Sequence, residues 1–80
     1  MTEPDEVKAI RLYWGGEHTE PAVEAGGGNW RFVSVDGLAY VVQPPLGGET
    51  TWVCGCLVDG ARMHIGLDGM WEGQRIFDPA

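Results

Sequence analysis

Two apolar runs flank Asp59-Gly60, and their alternation is the clearest pattern in the chain. Asp-Gly supplies the positive-φ residues of a two-residue type I′ hairpin turn. With that turn Val58 faces Ala61, Cys56 faces Met63, Cys54 faces Ile65 and Trp52 faces Leu67, and every one of these is apolar. The other face is mixed: Leu57 with Arg62, Gly55 with His64, Val53 with Gly66, Thr51 with Asp68. A one-residue slip would exchange the two faces, so the pattern reads as a hairpin over residues 51–67 with one buried side.

Residues 30–43 repeat the arrangement around Asp36-Gly37. A two-residue turn there sets Val35 against Leu38, Val33 against Tyr40 and Arg31 against Val42. The opposite face then holds Ser34 with Ala39, Phe32 with Val41 and Trp30 with Gln43. Both faces are mostly apolar, which suits a strand pair covered on both sides or one that offers a face to a partner. Pro44-Pro45 ends the second strand, because proline cannot donate to a ladder. A third Asp-Gly, at Asp68-Gly69, returns residues 70–77 as a final strand whose register requires a bulge.

The first fourteen residues carry two conflicting patterns. Thr2, Pro4 and the early acids suit a helix start, after which Val7, Ile10, Arg11 and Trp14 share a helical stripe. The branched and aromatic run Ile10-Arg11-Leu12-Tyr13-Trp14 favours a strand over residues 7–14, and the strand is the expectation. Residues 15–29 (GGEHTEPAVEAGGGN) read as a mobile Gly/Glu-rich surface loop with a short turn near Pro21. The fold expected is mainly β: an antiparallel meander of five to six strands forming a small curled sheet or barrel, with a short N-terminal helix as the alternative for the first segment.

Composition narrows the function. Eighty residues make one domain with a small core, and a homodimer would relieve that shortage. Twelve acids against five bases give a net charge of −7, so the basic footprint of a nucleic-acid binder is missing and a basic partner is favoured. No apolar run is long enough to span a bilayer, and the acidic MTEPDE start lacks the layout of a signal peptide, so a cytoplasmic location is expected.

Candidate chemistry is sparse. Cys54 and Cys56 lack a second ligand pair for zinc and the two-residue spacer of a redox motif, so neither metal nor cofactor is expected. On one strand face their Cα atoms lie about 6.6 Å apart with parallel Cβ atoms, whereas a disulfide needs Cβ atoms roughly 3.5–4.5 Å apart. They read as reduced core thiols, and a bond between chains becomes possible only if the strand lies at an edge or dimer seam. Ser34 lies inside a hairpin, and His18, beside Glu17 and Glu20, has no nucleophile to serve, so no enzyme is expected. Gly26-Gly27-Gly28 lacks the Lys and Ser/Thr of a phosphate loop. The four tryptophans read as core. The turn acids have a structural reason for their place; Glu3, Asp5, Glu6, Glu17, Glu20 and Glu24 do not, and only Lys8 and Arg11 offset them.

In length, acidic balance and β-rich body, the chain resembles small phage and mobile-element proteins of the anti-CRISPR kind. The resemblance is one of overall character and carries no residue roles. It implies an inhibitor in a bacterial host that presents Glu3, Asp5, Glu6, Glu17, Glu20 and Glu24 to a basic nucleic-acid-binding groove in place of DNA, without binding nucleic acid itself. The alternative expectation is a structural or assembly module that self-associates or docks through an apolar sheet face.

Overall fold

The structure is a computed structural model and describes residues 2–79. The chain opens with α1 (Asp5–Gly15) and continues through β1 (Val23–Glu24), β2 (Trp30–Val33), β3 (Ala39–Gln43), β4 (Thr51–Cys56) and β5 (Arg62–Gly66). A short pair, β6 (Met70–Trp71) and β7 (Gln74–Arg75), follows. Strands β1 to β5 form one antiparallel sheet in sequence order, which is a meander as expected. The sheet stays open with β1 and β5 at its edges and does not close into a barrel.

The N-terminal segment is a helix, not the expected strand. Its acids Asp5 and Glu6 lie in the first turn, where the helix dipole favours negative charge. Val7, Ile10 and Arg11 are buried, and Trp14 packs partly buried against the same core. This is the helical stripe, and docking it on the sheet outweighs the local strand preference of residues 10–14. No side chain caps the N-terminus; the Pro4 carbonyl instead accepts from Lys8 N–H at 3.0 Å. At the far end the Gly15 carbonyl accepts from Val35 N–H at 2.9 Å, which pins the helix to the β2–β3 loop.

All three Asp-Gly turns differ in detail from the sequence expectation. Between β2 and β3 the loop has three residues, Val35-Asp36-Gly37: Ser34 N–H donates to the Leu38 carbonyl at 2.8 Å and Gly37 N–H to the Ser34 carbonyl at 2.9 Å. Gly37, at φ 86°, takes the left-handed bulge position of such loops. The extra residue shifts the register by one, to Trp30 opposite Val42 and Phe32 opposite Tyr40. That slip places the bulky side chains together on the inner face, where Phe32 and Tyr40 stack with ring centres 5.1 Å apart.

Between β4 and β5 the loop has four residues, 57–60, closed by Cys56 N–H to the Ala61 carbonyl at 2.8 Å. The register moves by two, so Trp52 faces Ile65 and Cys54 faces Met63. A shift of two keeps the faces, and Cys54 and Ile65 are buried while Arg62 and His64 are exposed, as expected. Leu57, Val58 and Leu67 are not core residues; all three are more than half exposed. The third correction concerns residues 70–77, which do not return along β5. They form their own hairpin, whose turn residues Glu72 and Gly73 both have positive φ (47° and 81°).

The core gathers Val7 and Ile10 of α1, Ala22, and Trp30, Phe32, Val42, Trp52, Cys54 and Ile65 of the sheet. Trp30 and Trp52 are buried in it; Trp14 and Trp71 pack against it partly buried and meet edge to face at 6.2 Å. Phe77 closes the C-terminal end on Trp52 at 6.1 Å.

Candidate binding surfaces

Glu3 and Arg11 form a buried ion pair, each side chain 5 % exposed. Arg11 Nη2 donates to Glu3 Oε1 at 2.6 Å and Nε to Oε2 at 3.1 Å, the two-pronged geometry of a guanidinium on a carboxylate. Arg11 Nη1 donates to the Thr19 carbonyl and hydroxyl, and Ala22 N–H donates to Glu3 Oε2 at 2.9 Å. One knot therefore ties the N-terminus, the helix and the segment leading into β1. Burial alone pushes the Glu3 carboxyl up; the Arg11 hydrogen bonds, the Ala22 N–H and the Arg11 charge outweigh it and hold the carboxyl below its ordinary value. Glu3 is thus withdrawn from the acidic surface expected of it. The clue in the sequence was Arg11 itself: a charge on an apolar helical stripe requires a partner.

The other five acids remain on the surface: Asp5, Glu17, Glu20 and Glu24 are exposed and Glu6 half-buried. Among the described residues the ion pairs are Arg11–Glu3 and the exposed Arg75–Asp78, so none of the five is paired. Asp5 lines two neighbouring concavities. One includes Lys8, Pro21 and Ala22, which brings the Glu20 segment alongside; the other includes Glu6, Ile76, Phe77 and Asp78. Asp78 is a member the sequence reading missed, because nothing local placed the C-terminal tail beside the helix start. Glu17 lies in the turn after α1 and Glu24 on edge strand β1, and neither lines these two concavities.

The outer face of the sheet, turned away from α1, is differently composed. Val23, Arg31, Val41, Gly55 and Arg62 are successive cross-strand partners and run in one row across all five strands. Gln43, Val53 and His64 form the next row. No carboxylate occupies either row. The Arg62 stem lies over Gly55, whose missing side chain leaves an open concavity of about 400 Å³ bordered by Val41, Val53 and Leu57.

Cys54 and Cys56 are free and buried, 1 % and 5 % exposed. Strand β4 lies between β3 and β5, so it is not an edge of the sheet. Burial, and secondarily Cys56, pushes the Cys54 thiol up to about 12. Native protein should therefore leave Cys54 unmodified by a thiol reagent at pH 8 and yield it only on unfolding, since the thiolate is the reactive form. Mass spectrometry after timed labelling checks this, and labelling of Cys54 as fast as a free thiol would overturn the buried assignment.

The remaining polar groups have structural roles. Ser34 is buried and its hydroxyl accepts from Leu38 N–H at 3.1 Å. Asp59 accepts from Ala61 N–H at 2.9 Å, and this bond, followed by the Cys56 side chain, lowers its carboxyl. His18 is exposed in the turn beside Glu17. Among the described residues no three His, Cys, Asp or Glu side chains gather as a metal site, and no helix is long and apolar enough to cross a membrane. The chain matches no protein-family model, no curated protein and no solved structure.

Proposed function

We propose that the chain acts by binding rather than by catalysis, as an inhibitor of the anti-CRISPR kind whose acidic side occupies a Lys/Arg-lined nucleic-acid groove. The observation that carries this reading is the grouping of unpaired Asp5 and Glu6 with Asp78 around the start of α1, with the Glu20 segment beside them. Glu17 and Glu24 extend the negative field at longer range and serve association rather than contact. Each exposed carboxylate contributes only about 0.2–1 kcal/mol, so the group acts together and single changes are mild.

The test uses a panel of RNA-guided nuclease complexes with labelled target DNA, titrated with the protein. The expected result is release of DNA from one of them, weakened steeply by salt as the screening length shrinks from about 10 Å at 0.1 M to about 3 Å at 1 M. A variant with Asp5→Asn and Glu6, Glu17, Glu20 and Glu24→Gln should lose that displacement while melting normally. A complex that holds protein and DNA together, or a neutralised variant that still displaces DNA at low salt, would count against charge mimicry.

A further inference from the structure

We propose that the outer face of the sheet is a second docking surface, specific for an extended acidic protein segment with glutamates at positions i and i+4 and an aliphatic residue between them at i+2. Charge and spacing carry the inference. In a chain of twelve acids this face places Arg31, Arg62 and His64 around half-buried Val41 and Val53, with no carboxylate in either row. Asp68 folds over Gly66 at the far end of β5 and accepts from Met70 N–H, and Asp59 in the β4–β5 loop accepts from Ala61 N–H.

Arg31 and Arg62 lie in one row on β2 and β5, three strand spacings or about 14 Å apart. Four residues of extended chain span about the same distance, so carboxylates at i and i+4 reach both guanidinium groups. The side chain at i+2 points the same way and falls midway, over the Gly55 concavity between Val41 and Val53. Neither guanidinium is committed elsewhere: among the described residues neither makes an ion pair or a side-chain hydrogen bond.

Two other occupants fit less well. A symmetric second copy would set the same cationic rows against each other with no acid between them. Nucleic acid would find no aromatic ring on these rows to stack against, and would meet a net charge of −7.

The probe is a labelled synthetic peptide, Thr-Glu-Thr-Leu-Thr-Glu-Thr-Leu-Thr-Glu-Thr, which presents glutamates four apart with leucine midway. It is followed by fluorescence anisotropy and by amide shifts of the full chain. Shifts should centre on Val41, Val53, Gly55 and Arg62. Replacing both arginines, R31Q with R62Q, should weaken binding by roughly two- to thirty-fold, the loss of two exposed ion pairs. R31K with R62K should keep most of it. The acidic-side variant described above should bind the peptide as the original does, which separates this surface from the mimicry reading. The proposal fails if a Lys-for-Glu peptide binds equally, if the shifts fall on α1, or if a short oligothymidylate binds the face in preference. It also fails if the same amides shift with protein concentration alone, which would make the occupant a second copy.

Discussion

Gly69→Ala is expected to be the most damaging single-atom-scale change in the chain. Gly69 has a φ of 80°, and a Cβ there would sit 1.8 Å from the Phe77 carbonyl oxygen and 2.8 Å from its carbonyl carbon. The obstacle is backbone, so no rotamer relieves it. The chain must move residues 76–77 away, which breaks the Ile76 N–H bond to the Gly69 carbonyl and lifts Phe77 from Trp52. With the left-handed backbone penalty added, the expected cost is about 3–5 kcal/mol, among the largest effects of single substitutions. For a domain of this size that lowers the melting temperature by about 15–30 °C. Gly73→Ala is the control: its φ is 81° with nothing within 4 Å of the added atom, so only the backbone cost of about 1–2 kcal/mol applies. Equal melting temperatures for the two variants would show that Gly69 and Phe77 are not packed as described.

Arg11→Met should cost about 3–5 kcal/mol at neutral pH, because it strands Glu3 as a buried carboxylate with only the Ala22 N–H. Adding Glu3→Gln should recover much of the loss, since the amide oxygen still accepts from Ala22 and no charge is left alone. The acid limb gives a sharper signature. In the original chain the Glu3 carboxyl is held below its ordinary value of 4.5. Its stabilisation is therefore fully present above that pH and disappears as pH falls through the lower, folded value. In Arg11→Met the Arg11 contributions are gone and burial dominates, so the carboxyl rises instead. The variant's deficit should then shrink as acid protonates Glu3. Chemical denaturation at several pH values measures both slopes; parallel curves for the two proteins would mean that Arg11 and Glu3 are not coupled.

The parts of the fold that were legible in the sequence are those governed by a two-residue period. Trp52, Cys54 and Ile65 alternate with exposed Arg62 and His64 whatever the loop length, provided it changes by an even number. Loop length itself was not legible. Asp-Gly fits a two-residue turn, the bulge of a three-residue loop at Gly37 and the left-handed end of a four-residue loop at Gly60, and tertiary packing chose among them. Where the shift was odd, at β2–β3, the sequence reading exchanged the faces. The helix was hidden for a similar reason: residues 10–14 prefer a strand locally, and only the sheet beneath rewards the stripe of Val7, Ile10 and Arg11.

For the acidic surface, the sequence supplied the identities but not the grouping. Asp5, Glu6 and Asp78 share a concavity that depends on the C-terminal tail reaching the helix start. Glu3 left the set because a buried guanidinium claimed it. The cationic row on the outer face was out of reach while the β2–β3 register was one residue off, since Arg31 and Arg62 align only in the observed pairing.

The unbroken sequence order of the five strands also bears on how quickly the molecule assembles. Every ladder joins a strand to the one just before it, so each closure spans a short length of chain and loses little loop entropy. The knot at Arg11 is equally local, binding Glu3 and Thr19 eight residues away on either side. Ladders of such short sequence separation favour quick pairing of neighbouring strands. The longest ties run from α1 to the C-terminal hairpin, where Trp14 meets Trp71 and the Tyr13 hydroxyl meets the Gln74 side chain, so that docking closes most of the chain at once.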